Sequence, residues 1–199
     1  MTAPTLFQPV HVLGFAGSLR KNSYNRAALQ AALELLPEDM TMEIFDLLAI
    51  PVYNEDIETE GFPETVREFK ARIAAADALF IVTPEYNYSL PGVLKNALDW
   101  ASRPPGQSPL FGKPVAIMGA STGYFGTARA QYHLRQVCVI LNMYPLNNPE
   151  VFIPFAQAKF DQNGRLTDER TRDSIRNLLL SLRDWTRTLR EKNESLPGC

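Results

Sequence analysis

The sequence predicts an α/β fold, a five-stranded parallel sheet with helices on both faces. Three observations carry this. Apolar runs of strand length alternate with segments whose apolar residues recur every three or four positions, the pattern of strand–helix–strand units. Two of the runs, at 78–83 and 114–120, are apolar almost throughout, as strands covered on both faces must be. Polar or glycine-bearing turns follow the first, third and fourth runs, where a parallel sheet gathers its loops on one rim.

The first strand, from Val10 to Phe15, enters the stretch Gly14-Phe-Ala-Gly-Ser-Leu-Arg-Lys-Asn-Ser-Tyr-Asn25. A helix follows, spaced by Ala28, Leu29, Ala32, Leu33 and Leu36. Residues 41–46 read as a second strand, through Ile44 and Phe45. A long loop over 47–62 comes next, and Pro63 suits the first turn of a helix spaced by Val66, Phe69, Ile73 and Ala76. The third strand runs into Pro84-Glu-Tyr-Asn-Tyr-Ser-Leu-Pro91 and then a helix through Leu94, Ala97, Leu98 and Ala101. The stretch 103–109 is a surface connection. The fourth strand ends in Ser121-Thr-Gly-Tyr-Phe-Gly126, before a helix that buries Ala130, Leu134, Val137, Cys138 and Leu141 and exposes Arg129, Tyr132, His133 and Gln136. A short strand near 150–153 precedes a last helix from about Thr167, with Asp168 and Glu169 in its first turn and a stripe of Ile175, Leu178, Leu179, Leu182, Trp185 and Leu189. Beyond about Arg190 fraying is expected. Five such units suit the flavodoxin-like strand order 2-1-3-4-5, whose ligand site lies at the switch between strands 1 and 3.

Composition excludes several functions. The 199 residues, 45% hydrophobic and 21% charged, suit one domain over 1–199 with its core at about 10–190. A net charge of −2 gives no electrostatic case for nucleic acid or an anionic membrane surface. No run spans a bilayer, the N-terminus carries no signal-peptide pattern, and Cys138 and Cys199 make no disulfide framework, so a cytoplasmic protein is expected. With His11 and His133 as its two histidines, the chain shows no metal-ligand spacing, and no metal site is expected.

The turn after the first strand carries the chemistry. A strand entering a glycine-bearing turn and then a helix presents unpaired N–H groups and the positive end of the helix dipole to an anion. Ser18, Ser23 and Asn25 add short donors and Arg20 adds charge. Neither the nucleoside-triphosphatase loop nor the glycine triplet of dinucleotide folds occurs, and no cysteine–arginine phosphatase loop is present. What remains suits a single terminal phosphate, such as that of flavin mononucleotide (FMN). The plain alternative is an ordinary turn with Ser23 or Asn22 capping the helix. In the loop after the third strand, prolines 84 and 91 stiffen a segment whose amides can meet the polar edge of a flat heterocycle, with Tyr86 and Tyr88 beside it. The glycines of the stretch from Ser121 to Gly126 allow close approach of backbone to a flat ligand.

Three segments together resemble the NADPH-dependent FMN reductase family, which is flavodoxin-like and includes quinone, chromate and azo-dye reductases. They are Gly17-Ser-x-Arg20-x-x-Ser23-x-Asn25, Thr83-Pro-Glu-Tyr-Asn-Tyr-Ser-x-Pro-Gly92 and Leu94-Lys-Asn-Ala-x-Asp-Trp100. The likeness covers roughly residues 10–190. It implies that Ser18, Arg20, Ser23 and Asn25 hold the FMN phosphate, with Tyr24 among the cofactor residues. Pro84, Glu85, Tyr86 and Asn87 would embrace the ring, with Ser121 and Gly123 on its other flank. Gly126-Thr127 stands where many relatives have Gly-Gly. The resemblance implies NADPH or NADH as donor and a quinone or similar small molecule as electron acceptor. It also implies a homodimer or homotetramer, for which Arg129, Tyr132 and Glu150 are candidate contacts. The flavin carries the chemistry, so no catalytic side chain is assigned. The alternatives are a non-enzymatic electron carrier, for which a strongly acidic docking face is wanting, and a protein that merely binds flavin.

Overall fold

The computed structural model describes residues 8–195, so the N-terminal residues read above and Cys199 lie outside the described residues. Strands β1 (Val10–Ala16), β2 (Met40–Phe45), β3 (Ala78–Val82) and β4 (Pro114–Ala120) pair in parallel in the order β2-β1-β3-β4. The expected fifth strand is two short pieces, β5 (Tyr144–Pro145) and β6 (Val151–Ile153), both parallel to β4. Its sequence is interrupted by Asn147, Asn148 and Pro149, and proline cannot donate to a ladder. The strand order is the one the sequence predicts.

Alternation along the strands builds two cores. Phe80 points with Val10, Val12 and Met118 toward α1 (Tyr24–Glu34) and α6 (Glu169–Ser195), where Leu29, Ile175, Leu178, Leu179 and Leu182 close the layer. Its neighbours Leu79 and Ile81 face α3 (Glu64–Ala75), α4 (Gly92–Ala101) and α5 (Ala128–Ile140). Phe15, Phe69, Trp100, Leu134 and Cys138 fill that second core, all fully buried. Burying a side chain of this size contributes about 2 kcal/mol each.

Five local readings change. The loop at 47–62 contains a 3-10 turn, Leu47–Ala49, and a short helix, α2 (Glu55–Glu60). The helix has no apolar stripe to betray it; Asn54 caps it and three acidic residues in its first turn favour the positive end of its dipole. The loop is fixed to α4, since Trp100 Nε1 and Asn96 Nδ2 both donate to the Pro51 carbonyl, at 2.9 and 2.8 Å. Pro63 stands at the cap of α3, one place before its first turn. On α5, Val137 and Leu141 are half-buried and Gln131 is buried instead, while Val139 and Ile140 are exposed. Asp168 lies just before α6 and accepts from the Thr171 amide at 3.0 Å, and the helix continues beyond Arg190 to Ser195.

Candidate active site

The loops after β1, β3 and β4 meet at one rim, and each is tied to the next. The Gly17 amide donates to the Val82 carbonyl at 2.9 Å, and a Cβ at Gly17 would stand 2.9 Å from Pro91 Cγ, so the first loop lies directly against the third. Asn25 joins the first loop to the fourth. Its amide nitrogen donates to the Ala120 carbonyl at 2.9 Å, and its side-chain oxygen accepts from the Ala120 amide at 2.8 Å. Asn25 is 3% exposed, so this pair is screened from water. The third and fourth loops interlock beneath the rim at Gly119, where a Cβ would sit 2.0 Å from Thr127 Oγ1 and 2.2 Å from the Thr83 carbonyl oxygen.

The turn before α1 has the features of an anion cradle. Ser23 caps the helix, its hydroxyl accepting from the Asn25 amide at 3.2 Å. Ser18 and Ser23 are buried polar residues, and the Ser18 hydroxyl takes only a long contact, 3.4 Å, from the Arg20 amide. Among the described residues, the backbone amides of Ser18, Leu19, Lys21 and Asn22 donate to no protein acceptor. The Arg20 guanidinium is exposed and donates to the Asn22 carbonyl at 2.8 Å, which folds it back over the turn. Tyr24 is half-buried with its ring against Phe160, centroids 5.3 Å apart. Outside this turn a cavity of about 550 Å3 continues past Arg20, Lys21, Ser23 and Tyr24 to residues 161–164.

Beyond the cradle, Pro84 is buried and the next residues form a tight hairpin. Tyr86 and Ser89 exchange backbone hydrogen bonds, both at 3.0 Å, around Asn87 and Tyr88. Both turn residues lie in the left-handed region, φ 49° and 69°, as two-residue hairpin turns demand; Asn tolerates this, whereas Tyr88 is strained. Tyr86 and Tyr88 are exposed. The Glu85 side chain turns along the rim to the head of α5. Its carboxylate accepts from the Arg129 and Ala130 amides at 3.1 and 3.3 Å, capping α5, and forms an ion pair with the Arg129 guanidinium.

The loop after β4 presents Ser121, half-buried, then Gly123, whose missing Cβ would meet nothing nearer than Ser121 Oγ at 3.8 Å. That open face is not explained by packing within the chain, and it suits backbone approach to a flat ligand. Tyr124, Phe125 and Phe155 stand exposed around it, with Tyr124 edge-on to both phenylalanines. Thr127, in the place of a second glycine, adopts φ 73° at the head of α5, and its hydroxyl accepts from Gln131 Nε2 at 3.1 Å.

The structure thus brings Ser18, Arg20, Ser23, Tyr24, Pro84, Tyr86, Asn87, Ser121 and Gly123 to one rim. Among the expected cofactor residues, the Asn25 side chain is committed to Ala120, and the Glu85 side chain to α5, which leaves the Glu85 backbone to the loop. The exposed ring of Phe155 was missed because it follows the last strand rather than a glycine-bearing loop, and Phe125 because no helix or strand period marks it. Arg129 and Glu150, candidates for contacts between subunits, find partners within the chain: Arg129 has Glu85, and Tyr132 donates to Glu150 at 3.4 Å. The Cys138 thiol is pushed up to about 12 by burial and is an inert core group. Among the described residues, no cluster of three or more metal-ligating side chains occurs and no helix is long and apolar enough to cross a membrane.

Comparison with known proteins follows the same lines. Residues 10–158 match the family described as NADPH-dependent FMN reductase. An NAD(P)H-dependent FMN reductase of Pseudomonas aeruginosa is 58% identical over 181 residues, covering 91% of this chain and 97% of that protein. A 2-hydroxy-1,4-benzoquinone reductase of a Burkholderia species is 47% identical over 174 residues, 87% of this chain and 94% of that one. Among solved structures, the flavoenzyme NAD(P)H:(acceptor) oxidoreductase of Paracoccus denitrificans superposes with a TM-score of 0.83 at 34% identity, covering 90% of this chain and 98% of the other. With the rim, the strand order and these likenesses in agreement, the chain belongs to the NADPH-dependent FMN reductase family of oxidoreductases.

Proposed function

We propose that this chain passes electrons from NADPH or NADH, through FMN seated on the rim, to quinones and other small acceptors, chromate, azo compounds and free flavin among them. One observation supports this most: four backbone amides and two buried serines lie in one turn at the N-terminus of α1, and among the described residues the four amides have no protein acceptor. That donor set fits a phosphate monoester dianion, which a helix N-terminus favours by charge as well as by hydrogen bonding. Ser18, Arg20, Ser23 and Tyr24 would hold the phosphate, and Asn25 would fix the cradle by holding α1 to β4. The backbone of Pro84, Glu85, Tyr86 and Asn87 would border the ring on one side, with Ser121 and Gly123 on the other. FMN, when bound, supplies hydride acceptance and electron release, and the protein supplies orientation and exclusion of water.

The exposed rings of Tyr86, Tyr124, Phe125 and Phe155 leave one open apolar approach to this rim, so donor and acceptor would use it in turn. Initial-rate measurements with NADPH and a benzoquinone should then give parallel double-reciprocal lines. Intersecting lines would mean that both substrates bind together and would remove the shared approach. A non-enzymatic carrier would show no sustained NADPH oxidation in the same assay.

The finer reading of the assembly is a homodimer or homotetramer in the cytoplasm. Its support is the outer stripe of α5, where Tyr132, Val139 and Ile140 are 51%, 78% and 83% exposed. Exposed apolar residues in such a row favour a protein contact. Val139→Asp should shift sedimentation toward smaller species, and a parent chain that sediments as a monomer would dismiss the assembly.

A further inference from the structure

Arg129 is held on three sides by groups from different parts of the rim. Its guanidinium pairs with the Glu85 carboxylate in the loop after β3. Its guanidinium carbon stands 3.7 Å from the centroid of the Tyr88 ring, in the strained hairpin turn, and 4.3 Å from that of Phe125, in the loop after β4. Its own backbone amide donates back to Glu85 at 3.1 Å. A planar cation between two rings gains from both π faces, and its remaining N–H groups stay free for the carboxylate. His133 adds a further tie one turn along α5, with Nδ1 3.0 Å from Ser89 Oγ.

We infer that Arg129 is a positioning residue for the cofactor: it sets the spacing between the 84–89 hairpin and the 121–127 loop, and so the width of the slot that takes the flavin ring. The inference rests on the flavin reading above. Tyr88, left-handed at φ 69°, has an energetic reason to relax, and the ties at Glu85 and Ser89 hold the ends of this exposed hairpin rather than its turn. Clamping it to Arg129 retains the strained turn. Since the slot takes the ring, which FMN and riboflavin share, loss of Arg129 acts on both flavins alike. Arg20 instead acts on the phosphate, which riboflavin lacks.

The test is fluorescence titration of the full chain with FMN and with riboflavin. Arg129→Ala should weaken both by a similar factor, about tenfold given the two cation–π contacts and one charge-assisted pair lost, and leave their ratio as in the parent. Arg129→Lys keeps the charge but cannot lie flat between two rings, so it should recover only part of the loss. Tyr88→Phe should bind as the parent does and Tyr88→Leu should not. The Tyr88 variants alter an exposed turn and test the clamp without disturbing the head of α5. An Arg129→Ala protein that loses FMN but keeps riboflavin, or that binds both like the parent, would overturn the inference, as would a Tyr88→Leu protein with unchanged affinities. A parent protein that binds neither flavin would instead fail the flavin reading itself, and this inference with it.

Discussion

Gly119→Ala should lower the stability of the protein by about 3 kcal/mol or more. The added methyl would stand 2.0 Å from Thr127 Oγ1 and 2.2 Å from the Thr83 carbonyl oxygen, far inside contact distance. Thr127 can be moved only by disturbing the head of α5, and Thr83 is buried backbone whose amide donates to Met118 at 2.9 Å. Overpacking of a well-packed interior costs about 1–3 kcal/mol, and a clash with a buried carbonyl on one side and the Thr127 side chain on the other lies at or above the top of that range. A domain with about 5–15 kcal/mol of stability loses roughly a fifth to more than half of it in this way. Chemical denaturation should show a lowered midpoint or no soluble protein. Adding Thr127→Gly removes the hydroxyl and suits the left-handed backbone at that position, but leaves the Thr83 carbonyl in place, so recovery should be partial. A Gly119→Ala protein with the parent's midpoint would contradict the packing described beneath the rim.

Asn25→Ala should lower stability by about 2–6 kcal/mol, because it leaves the Ala120 amide and carbonyl unpaired in a buried place and each costs about 1–3 kcal/mol. The same change should weaken FMN, since the N-terminus of α1 loses its tie to the end of β4. Asn25→Asp is informative: a carboxylate can accept from the Ala120 amide but, when ionised, cannot donate to its carbonyl, so it should rescue less than half of the loss at neutral pH. Urea midpoints measured for the two variants read this directly. Midpoints equal to the parent's would show that the bidentate pair contributes nothing net.

Much of this was legible in the sequence because apolar periodicity reports burial. The run at 78–83 has to be a strand covered on both faces, and Phe80 and Ile81 do enter opposite cores. The turn before α1 was legible too, since a serine after a strand and before a helix is a cap by type, and Ser23 caps α1. What was not legible depended on side chains choosing between partners. Asn25 looks like a phosphate donor by type, and its use as a strap to Ala120 is visible only once β4 is known to end beside it. Glu85 reads as a ring contact by its place in the motif, yet the head of α5 lies within reach of its carboxylate and offers two amides and a guanidinium. Helix α2 escaped because it rests on capping and charge rather than on an apolar stripe. The piece at Tyr144–Pro145 escaped because two residues carry no period, whereas Val151–Ile153 is the short strand expected near 150–153.

The central claim is that the N-terminus of α1 holds the phosphate of FMN. Titration of the apoprotein with FMN and riboflavin, on the parent and on Ser18→Ala and Arg20→Ala, tests it most directly. The parent should bind one FMN per chain and prefer it to riboflavin by about tenfold or more, since even one charge-assisted hydrogen bond is worth about 1.5–3 kcal/mol. Both variants should lose most of that preference while holding riboflavin as the parent does. Equal affinity of the parent for the two flavins, or variants that weaken both to the same degree, would contradict it.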